Sequence, residues 1–376
     1  MYQSILCHFS KNVLSSPQFF SMLVVFFISS VSVLFFYVFL FNWACKEKLG
    51  AKEYESTDIS LIIAAKNEIK NLQKNLPNWL QQAHENFKII IVDDHSTDGS
   101  YEFVSEYNDE RVVALQNKFG PGKKQALQTG ILKAKTEFMV FIDADVCIDS
   151  VNFLNIYAEQ FTDGKDLVLG YSYYHKRKGL LNTFIQYETF RTASRYFSFA
   201  LIGKPYMGVG RNLGFTKTLF EKAEGYQKHK NIPMGDDDLF VQSVAHFANV
   251  GCLLDKQTFT NSPPKKTWKT YKIQKIRHMK AGKSYHLNNL IILGFLQIIF
   301  TFFWGVLFLG MLKHMDKFWM PVVFVLFVMH QVKRDKFDLF KSKSLIYLWP
   351  FLEYLWILYV WYFASLSMFN RKLKWK

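Results

Sequence analysis

Asp143 and Asp145 close the apolar run Phe138–Ile142, and their i, i+2 spacing puts both carboxylates on one face of an extended segment. Such a pair can share one hard cation, Mg²⁺ or Mn²⁺, of the kind that accompanies a diphosphate. Bare carboxylates at the end of a buried strand would be costly, which favours that reading. Ahead of them stand Lys66-Asn67-Glu68 and the stretch Asp93 to Ser100, each directly after an apolar run. Asp, Ser, Thr and Gly also favour turns and helix caps, so Ser96 and Asp98 are equally well read as caps. Gly120-Pro121-Gly122-Lys123-Lys124 opens a helical pattern, where backbone N–H groups and lysines suit an anion, although an ordinary helix start has the same composition. Further on lie Gly208–Phe215, with Gly210 and Asn212, then Asp236-Asp237-Asp238 and Gln274-Lys275-Ile276-Arg277-His278. An acidic run at a helix start is by itself only dipole stabilisation. Arg277 has the geometry to pair with a diphosphate. His175, His229 and His246 stand in no metal-ligand spacing.

The hydrophobic pattern supplies the frame for these motifs. Ile59–Ala64, Lys88–Val92, Val112–Leu115 and Phe138–Ile142 read as strands, and Ile69–Ala83, Ser100–Tyr107 and Lys123–Lys135 as helices. This alternation predicts an α/β domain over residues 54–264, with a mainly parallel sheet covered on both faces. Ligands in such sheets bind beyond the carboxyl ends of the strands, where the motifs fall.

The 376 residues are 50% hydrophobic and 18% aromatic, which excludes a disordered chain, a disulfide scaffold and a collagen-like polymer. The apolar residues bunch at the two ends. After a tail, 1–18, residues 19–41 carry no charge and are long enough to cross a bilayer core as a helix. Asn42-Trp43-Ala44-Cys45 is a poor signal-peptidase site, so a retained anchor is expected. Residues 290–312 read as a second span. Residues 318–332 are short and contain Pro321, and 345–369 carry Pro350 and Glu353, so two or three C-terminal crossings are open. Three crossings would put the basic tail Arg371–Lys376 outside and two would keep it inside. Lys46, Lys48 and Lys52 follow the first span and only Lys11 precedes it, which predicts a cytoplasmic central domain. Cys7, Cys45, Cys147 and Cys252 are scattered, as in a reduced compartment. A net charge of +15 calls for an anionic partner. Residues 265–289 form a basic amphipathic segment, with eight Lys or Arg and no acid between 265 and 283, expected in the headgroup layer. Because the densest basic run adjoins a span, no nucleic-acid partner is expected.

Taken in order over about residues 59–282, these motifs resemble those of the family 2 glycosyltransferases. The resemblance implies the GT-A nucleotide-sugar fold, a Rossmann-like domain here flanked by one N-terminal and two or three C-terminal transmembrane helices. It implies that Glu68 and Asp94 hold the nucleoside, that Lys123, Gln274 and Arg277 serve the donor, and that Asp143 and Asp145 carry the diphosphate-bound Mg²⁺ or Mn²⁺. Gly210, Asn212 and His278 fall on the acceptor side. One carboxylate of Asp236–Asp238 would deprotonate the acceptor hydroxyl. Setting Gly235 before the acidic pair gives Asp237 as the base, with Asp236 beside it, whereas counting back from Leu239 gives Asp236; the expectation adopted is Asp237. His278 stands where processive synthases of the family have a Trp that stacks on the acceptor sugar, so a single transfer is expected over a polymer. The implied function is a membrane-bound, inverting, metal-dependent transfer from a nucleotide-sugar, a UDP-sugar first, to a lipid or lipid-linked glycan at the cytoplasmic face of the inner membrane. The alternatives are a processive polysaccharide synthase and a non-catalytic nucleotide-sugar-binding membrane protein. The intact Asp143/Asp145 pair and the Asp236–Asp238 run argue against the last.

Overall fold

Aliphatic residues run almost unbroken through Ile59–Ala65 and Phe87–Asp93, a pattern suited to strands buried on both faces. In the computed structural model, which describes residues 17–41, 57–232, 234–313 and 315–369, these two segments are β1 and β2, paired in parallel with Ile59 opposite Phe87. On its other side β1 pairs in parallel with β4 (Phe138–Asp143), and β2 pairs with β3 (Val112–Gln116). The sheet continues through β8 (Leu213–Thr216), antiparallel to both its neighbours, then β6 (Leu167–Leu169) and β9 (Val250–Cys252), in the order 3-2-1-4-8-6-9. A second, small sheet joins β5 (Cys147–Ile148), β10 (Thr260–Ser262) and β7 (Ser172–Tyr174). The expected mostly parallel α/β sheet is therefore present, with β1 to β4 within two residues of their predicted limits. The helix predicted to reach Ala83 stops at Trp79. There the Ala83 N–H turns to the Val151 carbonyl, and the Gln82 side chain bonds Ser150 O and Leu154 N–H.

One face of the sheet packs Ile59, Leu61 and Ile63 against Leu72, Leu76 and Trp79 and against Phe153, Tyr157 and Phe161. On the other face lies the helix Lys123–Lys133. A Cβ on Gly130 would come within 2.7 Å of Ile62 Cγ2 and 3.1 Å of Val92 Cγ2, so glycine is what lets this helix lie close on β1 and β2. The close approach sets the start of the helix, and with it Lys123, beside the end of β4.

The described residues fall in two units, 57–286 with 362–369, and 17–41 with 287–361. In the second unit, helix Pro17–Phe41 rests Phe26 on the rings of Phe303 and Phe318. Helix Leu287–Lys313 covers the expected second span and is the helix that, among the described residues, is long and apolar enough to cross a membrane; Phe20–Phe36 is a shorter apolar stretch. The segment expected at 318–332 lies in a longer helix, Met315–Leu339, which continues through Pro321. The last helix starts at Trp349, placing Pro350 in the first turn, where a missing N–H breaks no helical bond. Glu353, an obstacle in the sequence, has no exposed surface and meets Lys333 Nζ at 2.9 Å. Residues 1–16, Lys46, Lys48, Lys52, Cys7, Cys45 and the tail Arg371–Lys376 lie outside the described residues.

Candidate active site

The turns after β1 and β2 hold Asn67 and His95 in left-handed backbone conformations, φ 54° and 59°. They are laced to each other. Asn67 N–H donates to Ser96 Oγ (2.8 Å), Thr97 N–H to Asn67 Oδ1 (2.8 Å), Glu68 N–H to Ser100 Oγ (3.0 Å) and Ile69 N–H to Asp98 Oδ2 (3.1 Å). Ser96 and Asp98 act as ties and caps. Glu68 itself accepts from the Asn71 amide and lines a cleft.

Asp94 takes a different place from the one expected of it. It has no exposed surface, and its carboxylate accepts the Gly122 N–H at 2.9 and 3.1 Å, the Asn117 amide at 2.7 Å and the Lys66 ammonium at 3.3 Å. Burial pushes its pKa up, but these donors outweigh burial and hold it below the usual carboxylate value. Asp94 therefore ties down the Gly120–Lys123 loop and is not among the residues that line the cleft.

At the front of that loop, Lys123 Nζ stands 2.9 Å from Asp143 Oδ1 and 2.8 Å from Asp236 Oδ2. Burial alone would make it shed its proton more easily; the charges of Asp143, Asp236 and Asp237 reverse this and hold it well above the usual lysine value. Asp145 is less well compensated. Burial, then the charge of Asp143, lifts its pKa to about 6 against the pull of Arg211. Two adjoining carboxylates that repel in a buried setting fit a divalent cation, which would relieve both the repulsion and the cost of burial. Among the described residues no group of three or more His, Cys, Asp or Glu side chains is arranged to hold a metal ion by itself.

Asp237 caps the short helix Asp238–Val244. Its Oδ1 accepts the Asp238 N–H at 2.8 Å and its Oδ2 the Gly210 N–H at 2.8 Å. Burial and the neighbouring Asp236 charge raise its pKa, while in Asp236 the ammonium of Lys123 outweighs burial and lowers it. Asp238 is engaged apart from them by the Tyr285 hydroxyl at 2.6 Å. A Cβ on Gly210 would stand 3.2 Å from both Asp237 Oδ2 and Lys123 Nζ, so glycine keeps this loop against the acid pair.

Asn212, expected on the acceptor, is instead buried without exposed surface. Its amide donates to Tyr171 O (2.7 Å) and Thr258 O (2.8 Å), and its oxygen accepts the Tyr157 hydroxyl (2.7 Å). It fixes the entry to β8. The neighbouring Arg211 is the site residue that sequence reasoning missed. Its guanidinium lies 4.1 Å over the Tyr174 ring, donates to Ser262 Oγ at 2.6 Å and acts on Asp145 through its charge. A signal was there: Arg211 is the single charged residue between Lys204 and Lys217.

Over Trp268–Gly282 the basic segment is a helix whose Lys275 is buried against Glu188 (Nζ–Oε1 2.6 Å), a carboxylate that also accepts the Tyr271 hydroxyl at 2.9 Å. Lys275 is thus committed to the domain and not to headgroups, and Gln274 bonds the Tyr174 hydroxyl at 3.3 Å. All these elements enclose one cleft of about 350 Å³. Its walls bring together Glu68, Lys123, Asp143, Asp145, Gly210, Asp236, Asp237, Gln274, Arg277 and His278, leaving out Asp94 and Asn212 of the expected set.

Residues 60–223 match the model of the Glycosyl transferase family 2. Over 125 residues the chain is 27% identical to the UDP-Glc:alpha-D-GlcNAc-diphosphoundecaprenol beta-1,3-glucosyltransferase WfaP of Escherichia coli, a match covering 33% of this chain and 49% of that protein. It is 30% identical over 121 residues to the poly-beta-1,6-N-acetyl-D-glucosamine synthase of Staphylococcus aureus (strain COL), covering 31% of this chain and 29% of that one. The matches thus span about half or less of the length of these relatives. Among solved structures, the mannosyltransferase PcManGT from Pyrobaculum calidifontis, in complex with GDP-Man and Mn²⁺, superposes with a TM-score of 0.54 at 16% identity, over 88% of this chain and 98% of that one. The shared architecture is the GT-A-type α/β fold.

Proposed function

Residues 60–223 belong to glycosyl transferase family 2, and from that premise we propose that this chain is an inverting glycosyltransferase moving a sugar from a nucleotide-sugar, a UDP-sugar foremost, to a lipid or lipid-linked glycan. The observation that carries the reading is Lys123, whose one ammonium touches both Asp143 and Asp236. The carboxylates suited to a diphosphate-bound cation and those suited to proton removal thus lie within one side chain of each other. Asp143 and Asp145 would hold Mg²⁺ or Mn²⁺, which when bound supplies positive charge to the leaving diphosphate. Lys123, Arg211 and Arg277 add to that charge as the glycosidic bond breaks. Asp237, held by two backbone N–H groups, keeps lone pairs free to take the proton of the acceptor hydroxyl as it attacks the anomeric carbon from the far side. His278 in the cleft wall, without an indole for stacking, favours one transfer over processive synthesis.

Membrane attachment is part of the proposal. Ile291, Phe295, Ile298 and Phe302 of helix Leu287–Lys313 each expose more than half of their surface, an apolar stripe that lipid would cover. Helix Pro17–Phe41 would be the N-terminal anchor, and Met315–Leu339 and Trp349–Phe369 would complete the crossings, with the α/β unit in the cytoplasm at the inner membrane. The test is a donor screen on membranes holding the full chain, with UDP-, GDP- and dTDP-sugars, reading nucleotide release and label in the lipid phase. One donor should release its nucleotide, label should enter lipid, and EDTA should stop both. Release from no donor with either metal and lipid extract present would favour the non-catalytic alternative.

A further inference from the structure

Two segments distant in sequence end at one place on the α/β unit. Leu180 is the first residue of helix Leu180–Leu201, and Trp268 the first of helix Trp268–Gly282. One turn in, the rings of Phe184 and Tyr271 meet edge to face at 6.4 Å, and two turns in, Glu188 holds Lys275. Contacts at matching depths mean that the helices run side by side in the same direction, so their first residues share one end. At that end Leu180 is 80% exposed and Trp268 57%. Around them the exposed residues are basic: Lys176, Arg177 and Lys178 before Leu180, and Lys266 and Lys269 about Trp268. Neither His175–Leu181 nor Pro263–Ile273 contains an acid. The 175–180 turn is also pinned, since the Asn182 side chain accepts the Arg177 N–H at 2.6 Å and donates to His175 O at 3.1 Å.

We infer that this end is a two-part docking surface for an anionic lipid bilayer, with the Lys176–Leu180 turn as its second, previously unassigned element. Five cations that form no salt bridge among the described residues call for an anionic surface. Leu180 and Trp268 between them favour lipid over a nucleic acid or an acidic polypeptide, because an exposed leucine among cations gains by entering acyl chains and indole suits the headgroup boundary. The other end of helix Trp268–Gly282, about 22 Å along its axis, is joined by Lys283–His286 to the apolar helix Leu287–Lys313, which tethers this surface within reach of the same bilayer. The inference concerns attachment alone and stands independently of sugar transfer.

Hydrogen–deuterium exchange on the full chain in nanodiscs tests it without reading activity. Peptides covering 174–184 and 264–273 should exchange several-fold more slowly in discs containing phosphatidylglycerol than in phosphatidylcholine discs. The triple variant K176E/R177E/K178E should lose that slowing at 174–184, and Leu180→Asn should reduce it. The control K133E/K135E, on exposed lysines elsewhere, should keep it. Unchanged exchange of the β1–β4 peptides verifies that each variant is folded. Equal exchange of 174–184 in the two lipids, or slowing that survives both the triple variant and Leu180→Asn, overturns the inference. So does slowing produced by polyglutamate in phosphatidylcholine discs and not by phosphatidylglycerol.

Discussion

From Ile59 to Asp143 the α/β unit is built of strands five to seven residues long, paired in parallel over continuous apolar runs. From Leu167 to Ser262 its strands have three or four residues and are set in place by buried polar side chains. Asn212 ties three elements and Glu188 holds both Lys275 and Tyr271. Strand ladders position Asp143 and Asp145; hydrogen-bond networks position Asn212, Lys275 and Tyr271. The two regions meet at Lys123, which reaches Asp143 of the first and Asp236 of the second. A region held by apolar packing tolerates volume-conserving swaps, whereas a buried polar network fails when one member changes chemistry at constant shape.

The largest effect should come from separating binding from chemistry across that junction. Asp237→Asn should leave nucleotide affinity within a few-fold and reduce turnover by about 10²–10⁴-fold, the usual contribution of a general base. Titration of nucleotide binding beside single-turnover kinetics reads both quantities. If Asp236→Asn produces this split and Asp237→Asn does not, the base is Asp236, and Asp237 is a cap that fixes the Gly210 loop.

The next effect sets the two regions against each other in stability. Removing one member of a buried ion pair typically costs about 3–5 kcal/mol, so Glu188→Leu, which strands Lys275, should fall in that range. Ile63→Val in β1 should cost about 0.5–1.5 kcal/mol, although Ile63 is fully buried. Denaturant midpoints of the detergent-solubilised chain decide it. Equal losses would mean that the second region rests on its aromatic packing and that the Glu188 network adds little.

The same contrast explains what the sequence made legible. A period-two or continuous apolar pattern is a local signal, and β1 to β4 with the turns that follow them were read from it. The Asp143/Asp145 pair was visible because the strand pattern set its spacing on one face. Glu188 carries no such local signature and becomes meaningful only when Lys275, tens of positions away, is brought beside it; Arg211 stood out only as an isolated charge, and its role appears when Ser262 and Tyr174 close on it. Asn212 and Asp94 show the converse. Their residue types and motif positions pointed to ligand contact, yet both satisfy backbone and side-chain donors inside the fold, the other common use of a buried Asp or Asn. Glu353 read as a flaw in an apolar segment until Lys333, on the preceding helix, supplied its partner.

Asp94 gives the smallest of these effects and the sharpest test of the comparison, because it is a polar network inside the apolar-built region. Its carboxylate accepts from Gly122, Asn117 and Lys66, and together these outweigh burial to depress its pKa in the folded chain. An unfolded chain would protonate it near about pH 3.9. Between that value and the lower folded one, the unfolded state binds more protons, so stability falls as pH drops. The stabilisation from the charge is therefore fully present above about pH 4–5 and lost as pH falls through the folded pKa. Asp94→Asn keeps an oxygen for the Gly122 N–H but removes the charge facing Lys66, at a cost of about 1–3 kcal/mol at neutral pH. Unfolding of the parent and variant should differ by that amount at pH 7, and the gap should narrow below pH 4 as the parent carboxylate protonates. A gap that stays constant down to pH 3 would show that the loop is held by hydrogen-bond geometry alone. Nucleotide affinity should weaken only through the shifted Gly120–Lys123 loop, so Lys123→Met added to Asp94→Asn should give less than the sum of the two single losses.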